Sequence, residues 1–170
     1  MNHLETHLML VGRKAEAKNG SGSGVAAIRA PLPNPKPQVL RARKPLKVGV
    51  VGLGKVGMTR IKHIRAHADL RLQAVCEVDA EREGLFPGIP YYTDYRDLVA
   101  DDLDVVFVCA YNDVAPDVVV QALGTGKHVF CEKPPGRSVA DVERIIEAER
   151  ANPGLKLKFG FNHRHHYAIM

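Results

Sequence analysis

The sequence has no run of 18 uninterrupted apolar residues, which leaves it without a candidate membrane-spanning helix. Its start does not join a charged segment to an apolar run and a small-residue cleavage site, so no secretory leader is expected. Cysteine is scarce. Cys76, Cys109 and Cys131 lie far apart, each inside an apolar run, which is the pattern of reduced thiols packed in buried strands and not of a disulfide or metal site. A cytoplasmic location follows as the default, and in that compartment the Asn19-Gly20-Ser21 glycosylation triplet is a chance match. No internal repeat is present, and 170 residues with 45% hydrophobic and 25% charged content leave room for one ordinary globular domain.

Acidic residues are nearly missing from the first quarter of the chain. Residues 1–44 hold eight Lys and Arg against Glu5 and Glu16, which leaves 16 of the 24 bases and 17 of the 19 acids for 45–170. The basicity therefore belongs to the tail, and the nearly neutral remainder has no electrostatic footprint for nucleic acid. The tail also carries Gly20-Ser21-Gly22-Ser23-Gly24 and prolines 31, 33, 35 and 37. Such a stretch buries too little apolar surface to offset its ordering entropy, so 1–44 is expected to be a disordered basic extension. A targeting peptide is disfavoured by scarce Ser and poor amphipathic periodicity.

After Pro45 the texture changes. Leu46–Val51 is a short apolar, β-branched run, the pattern of a strand covered on both faces. A glycine turn follows, then a helix from Lys55 to His67 with Val56, Ile61, Ile64 and Ala68 near helical spacing. Leu72–Val78 reads as a second strand and Tyr91–Thr93 as a short third, leading to a helix over Tyr95–Ala100 capped by Thr93 or Asp94. Asp104–Ala110 is the most apolar strand, hence central; a helix over Pro116–Leu123, a strand at His128–Cys131, a helix after a Ser138/Asp141 capping box and a last strand over Leu155–Phe161 complete the series. Alternating strands and helices with short connections predict an α/β, doubly wound parallel sheet of the Rossmann type over 45–170.

Gly52-Leu53-Gly54-Lys55-Val56-Gly57 matches G-x-G-x-x-G and stands where that pattern carries meaning, between a strand and a helix. Gly52 permits the tight turn, Gly54 lets a pyrophosphate approach the backbone, and Gly57 lets helix and strand pack closely. The helix start adds amides and a partial positive charge. Glu77, 20 residues after Gly57, stands where an acid reads the adenosine ribose and repels a 2′-phosphate, so NAD is expected over NADP. Cys131-Glu132-Lys133-Pro134-Pro135 lies at the carboxyl end of a later strand, where ligands of open parallel sheets bind. There the Lys133 ammonium would bind hydroxyls and ease proton movement as an alcohol becomes a ketone. His163, His165 and His166 project in different directions from a strand, so no metal site is expected.

With Val50-Val51-Gly52-Leu53-Gly54, Ala74-Val75-Cys76-Glu77-Val78-Asp79 and above all Gly126-Lys127-His128-Val129-Phe130-Cys131-Glu132-Lys133-Pro134, the chain resembles the N-terminal domain of the glucose–fructose oxidoreductase, inositol dehydrogenase and rhizopine-catabolism family (Gfo/Idh/MocA) from Leu46 to about Arg164. The resemblance implies that Lys133 lies beside nicotinamide and substrate as the catalytic lysine. It also implies that Glu132 and Pro134 shape the nicotinamide-ribose pocket, with the bond before Pro134 cis. The family's loop after the fourth strand usually reads Thr-Pro-Asn with a His soon after. Here it reads Tyr111-Asn112-Asp113, with Pro116 near the His position, so the contacts from Tyr111 to Pro116 do not carry over as a set; Ala110 and Asn112 are the cofactor candidates kept there. Gly160-Phe161-Asn162-His163-Arg164 looks like the last strand of the family's domain, which makes Asn162 and Arg164 the candidates on the substrate side.

Family members continue into a second α/β domain that covers the nicotinamide face, carries an Asp/His acid–base pair and forms a homo-oligomer interface; the resemblance implies that this domain is expected to lie outside residues 1–170. The reaction implied is hydride transfer between nicotinamide and a hydroxyl-bearing carbon of a sugar, sugar nucleotide or cyclitol, with residues 1–170 binding dinucleotide but lacking full activity. Two other readings stand beside it. One is a dinucleotide-sensing module without chemistry; the other is an S-adenosylmethionine methyltransferase, against which Glu132-Lys133-Pro134 argues. A nucleic-acid role for the basic tail is a weaker third.

Overall fold

A computed structural model of the chain describes residues 44–161. The expected disorder of the tail, the substrate candidates Asn162 and Arg164 and the three histidines lie outside the described residues.

Six strands form one sheet in the order β3-β2-β1-β4-β5-β6, every neighbouring pair parallel. They are β1 (Leu46–Val51), β2 (Leu70–Cys76), β3 (Tyr91–Tyr92), β4 (Val105–Val108), β5 (His128–Cys131) and β6 (Leu157–Phe159). The helices are α1 (Lys55–Ala66), α2 (Tyr95–Ala100), α3 (Ala115–Gly124) and α4 (Val139–Ala151). Parallel pairing makes both faces of the sheet apolar, because each crossover lays a chain segment against it. On one face Val48, Val50, Leu72 and Val75 pack with Ile61 and Ile64 of α1 and with Phe86. On the other, Val51, Ala74, Val106, Val108 and Val129 pack with Leu98, Val118, Leu123 and Ile145 from α2, α3 and α4. Each such fully buried aliphatic side chain contributes about 1.5–3 kcal/mol, so β1 and β4, covered on both sides, anchor the centre. No helix among the described residues is long and apolar enough to cross a membrane.

Local signals set several boundaries. Asp94 caps α2, its carboxylate accepting the Arg96 amide at 2.8 Å. Ser138 and Asp141 form the expected capping box at α4. Elsewhere the ends move. β2 begins and ends two residues earlier than the sequence suggests, because Leu70 and Arg71 pair with Leu46 and Lys47, while Val78 leaves the sheet and is 81% exposed. The expected apolar stripe of α1 is corrected too: Gly57, Ile61 and Ile64 face the sheet, whereas Val56, about 100° round the helix from Gly57, is exposed and Ala68 lies beyond the helix end. β4 is shorter than Asp104–Ala110: its paired register with β1 runs only from Val105 to Val108, although the Asp104 and Cys109 amides still donate to the Lys47 and Val51 carbonyls at 2.9 and 2.8 Å, and Ala110 meets the glycine turn. β6 keeps only the middle of Leu155–Phe161.

Candidate cofactor site at the carboxyl end of the sheet

β1 leads by way of α1 to β2 on one side, while β4 pairs with its other edge and leads away to β5. That reversal opens a crevice beyond the carboxyl ends of β1 and β4, the place where open α/β sheets bind ligands. The glycine turn lies in it. The Gly52 amide donates to the Cys76 carbonyl at 2.9 Å, and the Cys109 amide donates to the Val51 carbonyl at 2.8 Å. Gly52 has φ +92°, a conformation that side chains rarely adopt, and a Cβ there would stand 2.7 Å from Cys109 and 2.8 Å from the Ala110 nitrogen. Ala110 is thereby placed against the turn, and Asn112, half-buried, follows in the loop before α3. A Cβ on Gly57 would stand 1.9 Å from the Gly52 carbonyl oxygen, so helix and turn approach as closely as backbone permits.

Gly54 is the opposite case: nothing lies within 4 Å of the position a Cβ would take. It caps α1 without a side-chain hydrogen bond, and the first turn holds no acid. The amides of Lys55, Val56 and Gly57 and the positive end of the helix are thus left for an anion from elsewhere. The cradle is built from backbone and held open by the missing side chain.

Glu77 reaches across 24 residues to accept the Leu53 amide at 2.8 Å on Oε2, while Oε1 accepts the Val78 amide at 2.9 Å. A carboxylate has about four lone-pair directions, so two amides leave capacity for hydroxyl donors. At the carbonyl of the same residue, Arg82 donates from Nη1 to Leu53 at 2.8 Å and from Nε to Asp79 at 3.2 Å. The Tyr91 hydroxyl closes the loop, donating at 3.0 Å to the Glu77 carbonyl and at 2.6 Å to that of Asp79. Burial, followed by the charge of Glu77, pushes the Tyr91 hydroxyl above its ordinary value and keeps it a donor. Arg82 and Tyr91 were not foreseen from the sequence, because their partners are fixed by how a loop folds back and not by local pattern.

At the end of β5, Glu132 is 14% exposed. Arg60 of α1 donates to its Oε1 from Nε at 2.7 Å and also from Nη2. Lys133 and Pro134 come next, joined by a cis peptide bond as the resemblance implies. Lys133 is exposed, and no described residue takes its ammonium. Cys109 sits close by; burial pushes its thiol up to about 12, with Glu132 raising it and Arg60 opposing, so it remains a neutral packing group. Among the described residues, no three His, Cys, Asp or Glu side chains gather to hold a metal. The turn 52–57, Glu77, Ala110 and the loop 132–134 all lie at the carboxyl end of the sheet.

An all-parallel sheet ordered around a glycine turn, with an acid hydrogen-bonded to that turn and a lysine loop two strands away, defines an α/β domain of the Rossmann type. The chain belongs to the oxidoreductase family with an NAD-binding Rossmann fold, whose model matches residues 46–159. It is 36% identical over 127 residues to an inositol 2-dehydrogenase of Salmonella paratyphi B, covering 71% of this chain and 38% of that protein. A myo-inositol 2-dehydrogenase of Thermotoga maritima is 34% identical over 126 residues, covering 70% of this chain and 37% of that protein. Among solved structures, scyllo-inositol dehydrogenase from Lactobacillus casei with bound NAD(H) and scyllo-inositol superposes with a TM-score of 0.66 at 30% identity, covering 74% of this chain and 38% of the other. The chain thus spans about 38% of the length of the curated relatives it matches.

Proposed function

We propose that this chain is the cofactor-binding part of an NAD-dependent dehydrogenase acting on a hydroxyl of a cyclitol or related sugar. The observation that carries the reading is the hydrogen bond from the Leu53 amide to Glu77, which sets an acid beside an open, uncapped helix start. In this reading the backbone of Gly52, Leu53, Gly54, Lys55, Val56 and Gly57 holds the diphosphate. Glu77 accepts the adenosine ribose hydroxyls. Ala110, Asn112, Glu132, Lys133 and Pro134 bound the nicotinamide half. The nicotinamide, when bound, accepts or returns a hydride. Lys133 is the catalytic residue: its ammonium binds the reacting oxygen and lowers the cost of moving the hydroxyl proton. Asn162 and Arg164 are assigned to the substrate side.

NAD is favoured over NADP because a 2′-phosphate would meet the carboxylate of Glu77, while the Arg82 guanidinium at the same turn is already committed to Leu53 and Asp79. The cyclitol preference rests on the names of the relatives. The part matched here is about 38% of the relatives' length, which leaves them room for a substrate wall, a general base and an interface between copies, so residues 1–170 are expected to bind dinucleotide with little turnover of inositol. Titration of NADH fluorescence tests the assignment. Glu77→Ala should weaken NADH by about tenfold, the loss of one or two hydrogen bonds to a charged acceptor, and narrow the gap to NADPH. An unchanged NADH affinity in a variant that still melts cooperatively would show that Glu77 does not read the ribose.

A further inference from the structure

The Lys133 loop follows β5, whereas the glycine turn follows β1, and β4 lies between them. Two strand spacings of about 4.8 Å put these ends on the order of 10 Å apart; the ladder links them stepwise through β4, the Cys109 amide donating to the Val51 carbonyl at 2.8 Å and the Glu132 amide to the Val108 carbonyl at 2.9 Å. One side chain spans the gap. Arg60, on the second turn of α1, reaches over β4 to Glu132, donating from Nε at 2.7 Å and from Nη2 to the same carboxylate oxygen. Its guanidinium carbon lies 4.8 Å from the centre of the Phe130 ring, and Phe130 stacks on Phe107 at 5.0 Å. From the other side Gly160 closes in: a Cβ there would stand 2.7 Å from Glu132 Oε2. Glu132 is thus gripped between the first helix and the last strand, immediately before Lys133.

We infer that Arg60 is a positioning residue of the cofactor site, which, by fixing Glu132, sets the Lys133 loop at a defined distance from the diphosphate cradle at the start of α1. The inference rests on the dinucleotide reading above. Arg suits this role better than the single ammonium of Lys, because its planar guanidinium sets two donors on one carboxylate oxygen while lying over the Phe130 ring, which fixes the donor group from two directions. A pair this shielded is weak evidence for a stabilising role, since desolvating two charges offsets most of their attraction. What it provides is geometry: a helix whose first turn meets one end of a dinucleotide is tied to the loop that meets the other.

A role confined to holding the fold together would affect both ends of the ligand alike, so the test compares ligands that reach one end or both. ADP occupies the adenosine and diphosphate part only; NADH adds the nicotinamide riboside. With residues 1–170, Arg60→Met should leave ADP affinity within about twofold and weaken NADH about tenfold. Arg60→Lys should fall between, and Arg60→Met combined with Glu132→Gln should bind NADH no worse than Glu132→Gln alone. Equal losses for ADP and NADH, or no loss for either, overturn the inference and leave the dinucleotide reading standing. Failure of the parent chain to bind NADH at all overturns both. Should Arg60→Met fail to fold, Arg60→Lys and Glu132→Gln carry the same comparison, with NADH again expected to lose more than ADP.

Discussion

Gly54 and Gly57, three residues apart in one motif, should respond to a single methyl group in opposite ways. At Gly57 an Ala Cβ would sit 1.9 Å from the Gly52 carbonyl oxygen, with that carbonyl's carbon at 3.0 Å and Cys109 Cβ at 3.5 Å. Ordinary contact needs about 3.4 Å, so α1 must retreat from the turn by roughly 1.5 Å, and overpacking of that kind costs about 1–3 kcal/mol or more. The retreat also draws Ile61 and Ile64 away from β1 and β2, which places the cost at the upper end. Replacing Gly by Ala within a helix returns about 1 kcal/mol, leaving Gly57→Ala about 2–3 kcal/mol less stable and its melting temperature lower by roughly 8–15 °C. At Gly54, φ is −64° and no atom lies within 4 Å, so Ala fits without strain. A cap position prefers Gly to Ala while the unfolded chain loses freedom with Ala, and the two effects nearly cancel to within about 1 kcal/mol. Its methyl group, however, fills the space into which a diphosphate must come to reach the amides of Lys55, Val56 and Gly57. NADH affinity should fall at least about tenfold. Thermal melting and NADH titration of both variants make the check. If Gly54→Ala binds NADH as the parent does, the open side of this turn is not the diphosphate site; if Gly57→Ala melts at the parent temperature, the tight approach of α1 to the turn is not what holds this helix.

The three thiols should make the fold fragile in alkali. Cys76, Cys109 and Cys131 are each raised by burial from 9.0 to about 12, so the unfolded chain releases their protons first and stability falls as pH rises above about 9. By pH 10 the loss is on the order of 1 kcal/mol per thiol and a few kcal/mol for the three, and urea unfolding at pH 7.5 and pH 10 will show it; equal midpoints would refute the burial argument. Ser138→Ala removes the hydroxyl that accepts the Asp141 amide at 3.2 Å and should cost about 1 kcal/mol, read by the same urea series at pH 7.5. No change in that midpoint would mean that Asp141, which also accepts the Arg137 and Ser138 amides, holds the start of α4 unaided.

What the residues disclosed in advance follows from the distance between partners. Asp94 and Ser138 were legible as caps because each bonds an amide two or three residues away. His128–Cys131 was legible as a strand because Gly126 and the Lys133-Pro134 pair punctuate it on both sides. Strand and helix ends were less legible, since they are set by a neighbour: β2 begins at Leu70 only because Leu46 is there to pair with it, and nothing within 70–78 records that. The same rule divides the site. The glycine turn and the spacing to Glu77 are written in one βαβ stretch, so both could be read. That the Glu77 carboxylate grips the turn at the Leu53 amide, that Arg82 answers at the Leu53 carbonyl and that Tyr91 locks the loop all depend on segments that meet only after the sheet has formed. Arg60 is the extreme case. Its helix was read correctly, yet its partner lies 72 residues away and two strands across, and on a helical pattern it is one more polar residue between Thr59 and Ile61. A charged side chain beside a buried stripe is ordinarily solvated; only the position of Glu132 at the end of β5 makes this one a tie between the two ends of a dinucleotide crevice.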